Sequence, residues 1–317
     1  MAILMSPRKF RKEFLDRLLK LHWRQWTALG VAGTETPERH WIIDLEALLV
    51  STYTIGLKDR RLFNGMLEWV QKNGFWINNA RLKRIGSYFQ VKTPAKEEFL
   101  LSHQDFTLLL DTIRRKTQHR KIISEYSKII RSFRPRGIVT KPRLISSHVL
   151  LQLSFRALCG IDARAEILLY LLTHECGNSN SIARETFHNQ RNVYKILKRF
   201  SEVGIVTIYR KTRAKDYSLN RKKVLLRTLG INKLPKYLNW TRLFRTLDLL
   251  LKVIFRPECE DTYLLSSLFR DHADKMREIG HWLNVDVPDP ELYLGEKYFL
   301  PVAQSFLRVL DRLINPD

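Results

Sequence analysis

The pattern that most constrains the fold of this chain lies in residues 161–220. There, three stretches with helical periodicity precede two short stretches with the composition of strands. The first repeat, 163–175, places four apolar side chains on one helical face: Ile167, Leu168, Leu171 and Leu172. Gly177 interrupts this repeat, and Asn178 is placed to cap a second helix over 179–187. The small residue Ala183 in this second helix would let two helices cross closely.

A third helix is predicted over 190–203, with Asn189 as its cap and Gly204 as its stop. Its inward face holds four apolar residues: Val193, Ile196, Leu197 and Phe200. After the stop, 205–210 has the β-branched and aromatic composition of a strand. A polar tip and a short return strand follow at 211–215 and 216–220.

This order resembles the recognition helix and wing of bacterial winged helix-turn-helix regulators of the ArsR/MarR type. The resemblance is carried by HNQRNVYKILKRFSEVGIVTIYR at 188–210 and DYSLN at 216–220. Residues 161–220, about a fifth of the chain, are covered, and the flanking regions resemble no family. The resemblance implies sequence-specific binding of double-stranded DNA, most simply by a bacterial-type transcriptional regulator. It implies no particular operator or effector.

The third helix also predicts which residues would contact DNA. A helix advances about 100° per residue, so Arg191, Lys195 and Lys198 face outward when the apolar residues face inward. Arginine and glutamine pair with base edges, while lysine mainly meets phosphate. The predicted contacts are Asn189, Gln190, Arg191, Tyr194, Lys195, Lys198 and Arg199 on the helix, and Arg210, Lys211, Arg213 and Lys215 on the wing. An ordinary solvated helix face is the alternative.

The net charge favours the same kind of partner. The chain holds 55 lysines and arginines against 32 aspartates and glutamates, a formal net charge of +23, and this excess suits a polyanion. Segment 114–143 is dense in lysine and arginine, with Glu125 as its only carboxylate. An extended basic linker is predicted over 132–150, with Arg134, Arg136, Lys141 and Arg143 as phosphate contacts. A solvated linker without contacts remains the alternative.

The helical repeats predict a mainly α protein with a central winged helix-turn-helix that carries a small β-wing. The predicted parts are a helical N-terminal domain at 1–131, the basic linker at 132–150, the winged helix at 151–230, and a C-terminal helical region at 231–317. The flanking helices are predicted over 8–26, 41–56, 59–74, 78–89, 240–255, 261–283 and 297–313, with one or two further helices over 99–130. We expect the first to pack on the N-terminal domain. The C-terminal helices would form a dimer interface, which two-fold half-sites require, or an intramolecular cap.

No catalytic signature occurs in the sequence. It has no P-loop, no GxGxxG after a strand, no GxSxG elbow and no HExxH. We therefore predict no enzyme activity, no cofactor and no metal. The cysteines are widely spaced and form no CxxC pair: Cys159, Cys176 and Cys259. His174 and Cys176 are expected to be a helix-terminal histidine and a buried thiol, and Asp271, His272 and His281 are expected at the surface.

The hydropathy pattern argues against a membrane partner. No apolar run approaches the ~18–20 residues needed to span a bilayer, and the first residues lack the apolar core of a signal peptide. The expected location is the cytoplasm, with the nucleoid. Besides double-stranded DNA, the expected partners include a second copy of the chain and a protein encoded nearby. Two other functions stay open: a winged-helix protein-interaction module, such as the antitoxin-like half of a two-gene system, and RNA binding through 114–143.

Overall fold

The computed structural model describes residues 5–90, 108, 111, 125–209, 215–256 and 260–316. These residues are mainly helical and carry one small three-stranded sheet, which confirms the predicted fold class. The chain packs as two compact units, one made of Met1–Gln25 with Arg242–Asp317 and the other of Trp26–Thr241. The four predicted domains concern independent folding and stay a prediction. Within the described ranges, no helix combines the length and the apolar composition that crossing a membrane requires.

The helices that precede residue 160 are α1 (Pro7–Ala28), α2 (Leu45–Ile55), α3 (Arg60–Asn73), α4 (Asn79–Phe89), α5 (Glu125–Ser132) and α6 (Leu151–Cys159). Asp44, Asp59 and Asn78 cap α2, α3 and α4 by accepting hydrogen bonds from backbone amides of the first turn. These amides have no partner inside the helix, so the caps define where each helix begins. The one or two helices predicted over 99–130 lie mostly outside the described residues.

The segment that resembles a winged helix has its elements in the predicted order. They are α7 (Ala163–Thr173), α8 (Ser179–Thr186), α9 (Gln190–Glu202), β2 (Val206–Tyr209) and β3 (Asp216–Leu219). A further strand, β1 (Gly177–Asn178), was not predicted from the sequence and pairs with β3. The sheet order is β1-β3-β2, and both pairings are antiparallel, with Val206 opposite Leu219.

The local signals in this segment act as the sequence predicts. Asn178 caps α8 and Asn189 caps α9, each by accepting two backbone hydrogen bonds. Gly204 follows α9 with φ of 71°, a backbone conformation that is strained for residues with a Cβ. The four apolar residues of α9 are all buried: Val193, Ile196, Leu197 and Phe200. They share one core with α7 and with Val206 and Tyr217 of the sheet.

Residues 133–147, which we call the strap, run without helix from α5 to a 3-10 turn at His148–Leu150. Val139 forms an antiparallel bridge with Val31. Glu68 on α3 accepts hydrogen bonds from the amides of Arg136 at 2.9 Å and Val139 at 3.3 Å. The extended basic segment is therefore fixed to ordered residues by its backbone, which leaves its cationic side chains at the surface.

The remaining helices are α10 (Lys222–Thr228), α11 (Trp240–Ile254), α12 (Thr262–Asp271), α13 (Ala273–Leu283) and α14 (Phe299–Ile314). The prediction of one helix over 261–283 was wrong, because His272 leaves the helical region at ψ of 6° and separates α12 from α13. The expectation that His272 lies at the surface was also wrong. Its side chain is 2% exposed, and burial lowers the pKa of its imidazole below the ordinary value.

The first unit joins α1 to the C-terminal helices. The ring centroid of Phe10 lies 5.8 Å from that of Phe269 and 5.9 Å from that of Phe299. Arg17 Nε donates a hydrogen bond to Asp311 Oδ1 at 2.7 Å. The residues of α1 in this unit therefore pack on α12 and α14, which the sequence did not predict. At the end of α1, Trp26 packs on Trp69 of α3 at a centroid distance of 5.7 Å, as expected for packing on the N-terminal helices. The amphipathic repeat identifies a face that must be buried, but it does not identify the helix that buries it.

Candidate nucleic-acid interface

Helix α9 has one apolar face and one cationic face. The apolar residues lie in the core described above, so the helix cannot rotate without exposing them. Opposite them, the four cations of the helix are exposed: Arg191, Lys195, Lys198 and Arg199. Tyr194 borders this cationic face with 42% of its side chain exposed. The structure thus brings the predicted cations of α9 together on a single outward surface.

The exposed cations of α9 differ in their pairing. Lys198 Nζ lies 4.0 Å from a carboxylate oxygen of Glu202, and both side chains are more than half exposed. Arg191 and Lys195 have no carboxylate partner within the part of the chain that the structure describes. Their charge is compensated only by solvent, so an incoming anion would replace water and not a protein carboxylate.

Asn189 and Gln190 are also exposed, but their side chains have contacts inside the protein. Asn189 Oδ1 accepts hydrogen bonds from the amides of Arg191 at 2.9 Å and Asn192 at 3.3 Å. Gln190 Nε2 donates to Ser179 Oγ at 3.0 Å, which ties the start of α9 to the start of α8. Both residues thus help to orient α9. Their predicted contact with DNA stays a prediction.

The hairpin of β2 and β3, which we call the wing, is linked to the end of α9 by hydrogen bonds of Asn220. Asn220 follows β3, and its Nδ2 donates to the carbonyl oxygen of Gly204 at 2.9 Å. Thr207 Oγ1 donates to Asn220 Oδ1 at 2.5 Å, so the same side chain also holds β2. Lys215 is exposed just before β3. The other predicted wing contacts lie outside the described residues: Arg210, Lys211 and Arg213.

The predicted phosphate contacts of the strap are all exposed: Arg134, Arg136, Lys141 and Arg143. They divide into two pairs. Lys141 and Arg143 line a cavity together with residues 27–39, and no residue of α9 lines it. Arg134 and Arg136 lie outside that cavity. The structure therefore groups Lys141 and Arg143 with residues around the end of α1, and the contacts of all four cations with phosphate stay a prediction.

Sequence reasoning missed a buried cluster of charged side chains, which we call the charge network. Its members are Asp44, Glu46, Arg81, Arg156, Glu166 and His188. Arg156 lies at its centre and is 2% exposed as a residue. Its guanidinium donates to both oxygens of Glu46 at 2.7 Å and to Glu166 Oε1 at 2.5 Å. Carboxylates from α2 and α7 are thus held by one arginine of α6.

Arg81 extends the charge network to the turn that precedes α9. Its guanidinium contacts Asp44 in a fork, at 2.6 and 2.5 Å, and Glu46 Oε2 at 2.7 Å. Arg81 Nε donates to the carbonyl oxygen of Thr186, the last residue of α8, at 2.8 Å. On the other side of the turn, His188 Nε2 lies 3.3 Å from Glu166 Oε2. The turn between α8 and α9 is therefore held by hydrogen bonds on both sides.

The electrostatics of the charge network follow from burial and pairing. Burial by itself would raise the pKa of Glu166, but Arg156, the hydrogen bond with His188, and Arg81 together lower it to about 2. Burial would likewise lower the pKa of Arg156 and of Arg81, and the surrounding carboxylates raise both above the ordinary value. The arginines and Glu166 therefore stay charged at neutral pH, because each ion is stabilised by its neighbours.

The sequence did contain a signal for this cluster. Glu46 lies in the apolar run LEALLV, Arg156 in LQLSFRAL, and Glu166 in AEILLYLL. A single charge inside a helix that is otherwise apolar is a candidate for burial, and a buried charge needs a partner of opposite sign. The sequence does not show which charged residues pair across these helices, so the cluster was not predicted.

His174 and Cys176 have surroundings typical of structural residues. The imidazole of His174 stacks on Tyr170 with ring centroids 4.0 Å apart, and its Nδ1 lies 2.9 Å from the carbonyl oxygen of Tyr170. Cys176 is a free, partly buried thiol. Among the residues that the structure describes, no group of three or more histidine, cysteine, aspartate or glutamate side chains is placed to hold a metal ion.

Comparisons with known proteins add no relative to these observations. No family model, no curated protein and no solved structure matches the chain. What the chain does must therefore be inferred from its own residues and their geometry.

Proposed function

We propose that this protein binds double-stranded DNA through α9 and the wing, and that it regulates transcription and catalyses no reaction. The observation that carries the proposal is the outer face of α9, where Arg191 and Lys195 are exposed and have no carboxylate partner among the described residues. A helix with a buried apolar face and an exposed cationic face fits the major groove. The resemblance of residues 161–220 to winged-helix regulators supports the same function.

The residues of the interface would differ in what they contact. Arg191 can form two hydrogen bonds with a guanine edge, whereas the ammonium groups of Lys195 and Lys198 suit phosphate oxygens. Arg134 and Arg136 on the strap add cations that suit phosphate whatever the base sequence. The wing would add Lys215 and the cations before it, at the backbone or in a narrow minor groove.

The decisive test removes the cationic face and leaves the core intact. We expect the triple variant R191Q/K195Q/K198Q of the whole chain to lose binding to duplex DNA in fluorescence anisotropy, with an unchanged helical circular dichroism spectrum. For the wild type, the logarithm of the association constant should fall steeply with the logarithm of salt concentration. The single variant K195Q should make that slope shallower by about 1, because one fewer counterion is released.

The matched control removes the same number of charges elsewhere. The triple variant R8Q/K12Q/K233Q changes exposed cations that are distant in sequence from α9, so it lowers the net charge equally. We expect it to bind duplex DNA close to the wild-type affinity. Equal DNA affinity of wild type and R191Q/K195Q/K198Q, or a flat salt plot for the wild type, contradicts the proposal.

A protein partner is the second candidate function, and it rests on exposed apolar side chains next to the cations. Tyr194 is 42% exposed, Ile208 40% and Tyr209 47%. Exposed aromatic residues beside arginine are typical of protein interfaces. The partner would be an acidic protein, such as the other half of a two-gene system encoded nearby. Absence of nucleic-acid binding at moderate salt, with co-purification of the neighbouring gene product, would favour this function.

A competition experiment distinguishes RNA binding through residues 114–143 from DNA binding through α9. Residues 114–124 of that segment lie outside the described residues, so their part in RNA binding is inferred from the sequence alone. Duplex DNA, structured RNA and single strands would compete for the whole chain and for R191Q/K195Q/K198Q. RNA binding that survives in the triple variant would favour RNA as the partner.

A second copy of the chain, which two half-sites would require, is detected by sedimentation with and without duplex DNA.

A further inference from the structure

The cavity beside the strap is the second feature of the molecule that suits an anion. It has a volume of about 430 Å³, within the range typical of small-molecule sites. Its lining combines five apolar residues, three cations and several hydroxyl groups. The apolar residues are Ala28, Val31, Ala32, Pro37 and Ile138, and the cations are Arg39, Lys141 and Arg143.

The walls of the cavity are joined by backbone contacts. The amide of Ala32 donates to the carbonyl oxygen of Ile138 at 2.8 Å, and that of Thr140 donates to Gly30 at 2.9 Å. Gly30 has φ of 97°, and a Cβ at this position would lie 2.9 Å from the carbonyl oxygen of Thr140. Only glycine allows this close approach without strain. The site is therefore formed before any ligand arrives, which lowers the entropic cost of binding.

The charge of the cavity is positive. Arg39, Lys141 and Arg143 are exposed at its rim. The one carboxylate in the lining belongs to Glu38, whose side chain is 1% exposed. Glu38 Oε1 accepts hydrogen bonds from three successive amides, at 2.9, 2.8 and 3.3 Å. Three cations against one buried carboxylate give the lining a net positive charge.

We propose that this cavity binds a small molecule that bears a phosphate group attached to a compact apolar or ring portion. Guanidinium groups form paired hydrogen bonds with phosphate oxygens, and an ammonium group adds a point charge. The hydroxyl groups of Ser146 and Ser147 can donate further hydrogen bonds. The apolar wall suits a ring such as that of a nucleotide. The site shares no residue with α9, so this proposal does not depend on DNA binding.

Calorimetry on the whole chain tests the site, with inorganic phosphate, pyrophosphate and a nucleoside 5′-diphosphate as probes. We expect the nucleotide to bind more tightly than pyrophosphate, and K141Q/R143Q to weaken both by about tenfold or more. The control R134Q/R136Q removes two cations from the same strap outside the cavity, and its affinities should match the wild type. The variant A32L keeps every charge and fills the apolar wall, so it should weaken the nucleotide more than inorganic phosphate.

The other outcomes overturn the proposal. One is that no probe binds the wild type at concentrations up to about 1 mM, the weak limit for a specific site. Another is that K141Q/R143Q and R134Q/R136Q lose affinity equally, which would mean that the probes respond only to the charge of the strap. A third is that the probes produce no heat while K141Q/R143Q weakens duplex DNA. In that case the cavity residues contact the DNA backbone. Circular dichroism of each variant verifies that the chain is folded.

Discussion

Two sets of cations in the same compact unit have opposite surroundings. Arg81 and Arg156 are buried, and each contacts two carboxylates at 2.7 Å or less. Arg191 and Lys195 are exposed and have no carboxylate partner among the described residues. All four contribute equally to the net charge of the chain. Only the second pair is available to a partner, so the charge excess alone does not locate a binding surface.

The buried pair of cations stabilises the fold, whereas the exposed pair is available for binding. An ion transferred from water to the interior loses several kcal/mol of solvation, so Arg156 is tolerable only because Glu46 and Glu166 surround it. An exposed arginine keeps its water and needs no partner for stability. An unpaired exposed cation is therefore free to bind an anion, whereas a paired buried cation cannot be withdrawn without loss of the fold.

The largest effect is expected when the centre of the charge network is removed. R156M leaves Glu46 and Glu166 buried without their main partner, and we expect the free energy of unfolding to fall by about 3–5 kcal/mol. Urea denaturation measures it. The control R164M breaks a pair with Asp162 in which both side chains are about half exposed, and should cost at most about 1 kcal/mol. Equal losses would mean that burial of the network does not matter.

A smaller effect is expected where the charge network meets the turn before α9. R81K keeps the charge but cannot reproduce the fork to Asp44 together with the hydrogen bond to Thr186. We expect a loss of about 1–3 kcal/mol and faster amide hydrogen exchange in the turn between α8 and α9. R84K, an exposed position on the same helix, is the control. Unchanged exchange in R81K would show that the turn is held by other contacts.

The pH dependence of stability provides the next test. The folded pKa of Glu166 is lowered from 4.5 to about 2. Its contribution is therefore complete above pH 4.5 and is lost as the pH falls towards 2, because the unfolded chain takes up the proton first. We expect E166Q to flatten the fall of the unfolding free energy in this interval. E202Q, at an exposed carboxylate, should leave the wild-type slope intact, and an equally steep curve for E166Q would contradict the assignment.

The smallest effect on stability is expected on the cationic face of α9. R191Q and K195Q should each change the free energy of unfolding by less than about 0.5 kcal/mol, because they break no contact in the described residues. The same substitutions should weaken duplex DNA binding. Urea denaturation and fluorescence anisotropy on one preparation measure both quantities. A large loss in the free energy of unfolding would show that these two side chains stabilise the fold.

The sequence predicts some parts of this molecule well because their causes are local. The inner face of α9, its cap at Asn189 and its stop at Gly204 each depend on residues within one or two helical turns. The exposed position of Arg191 and Lys195 follows from the same helical period. These elements were predicted with bounds that differ from the observed ones by about one residue.

Other parts have causes that are distant along the chain. Arg156 and Glu46 are separated by 110 positions, and no periodicity in the sequence connects them. For the same reason, the packing of α1 on α12 and α14 was not predicted. The break at His272 has no glycine or proline to announce it, and β1 has only two residues, so both lack the usual local signals.

The charge network also determines how portable the winged segment is. A fragment of residues 151–230 would keep Arg156 and Glu166 but would lack Glu46 and Arg81, which belong to α2 and α4. Such a fragment would expose an ion cluster that evolved for burial, so it is a poor building block for a chimera. Transfer of this segment into another protein would therefore require α2 and α4 as well. Helices α2 and α4 are thus part of the frame that holds the turn before α9.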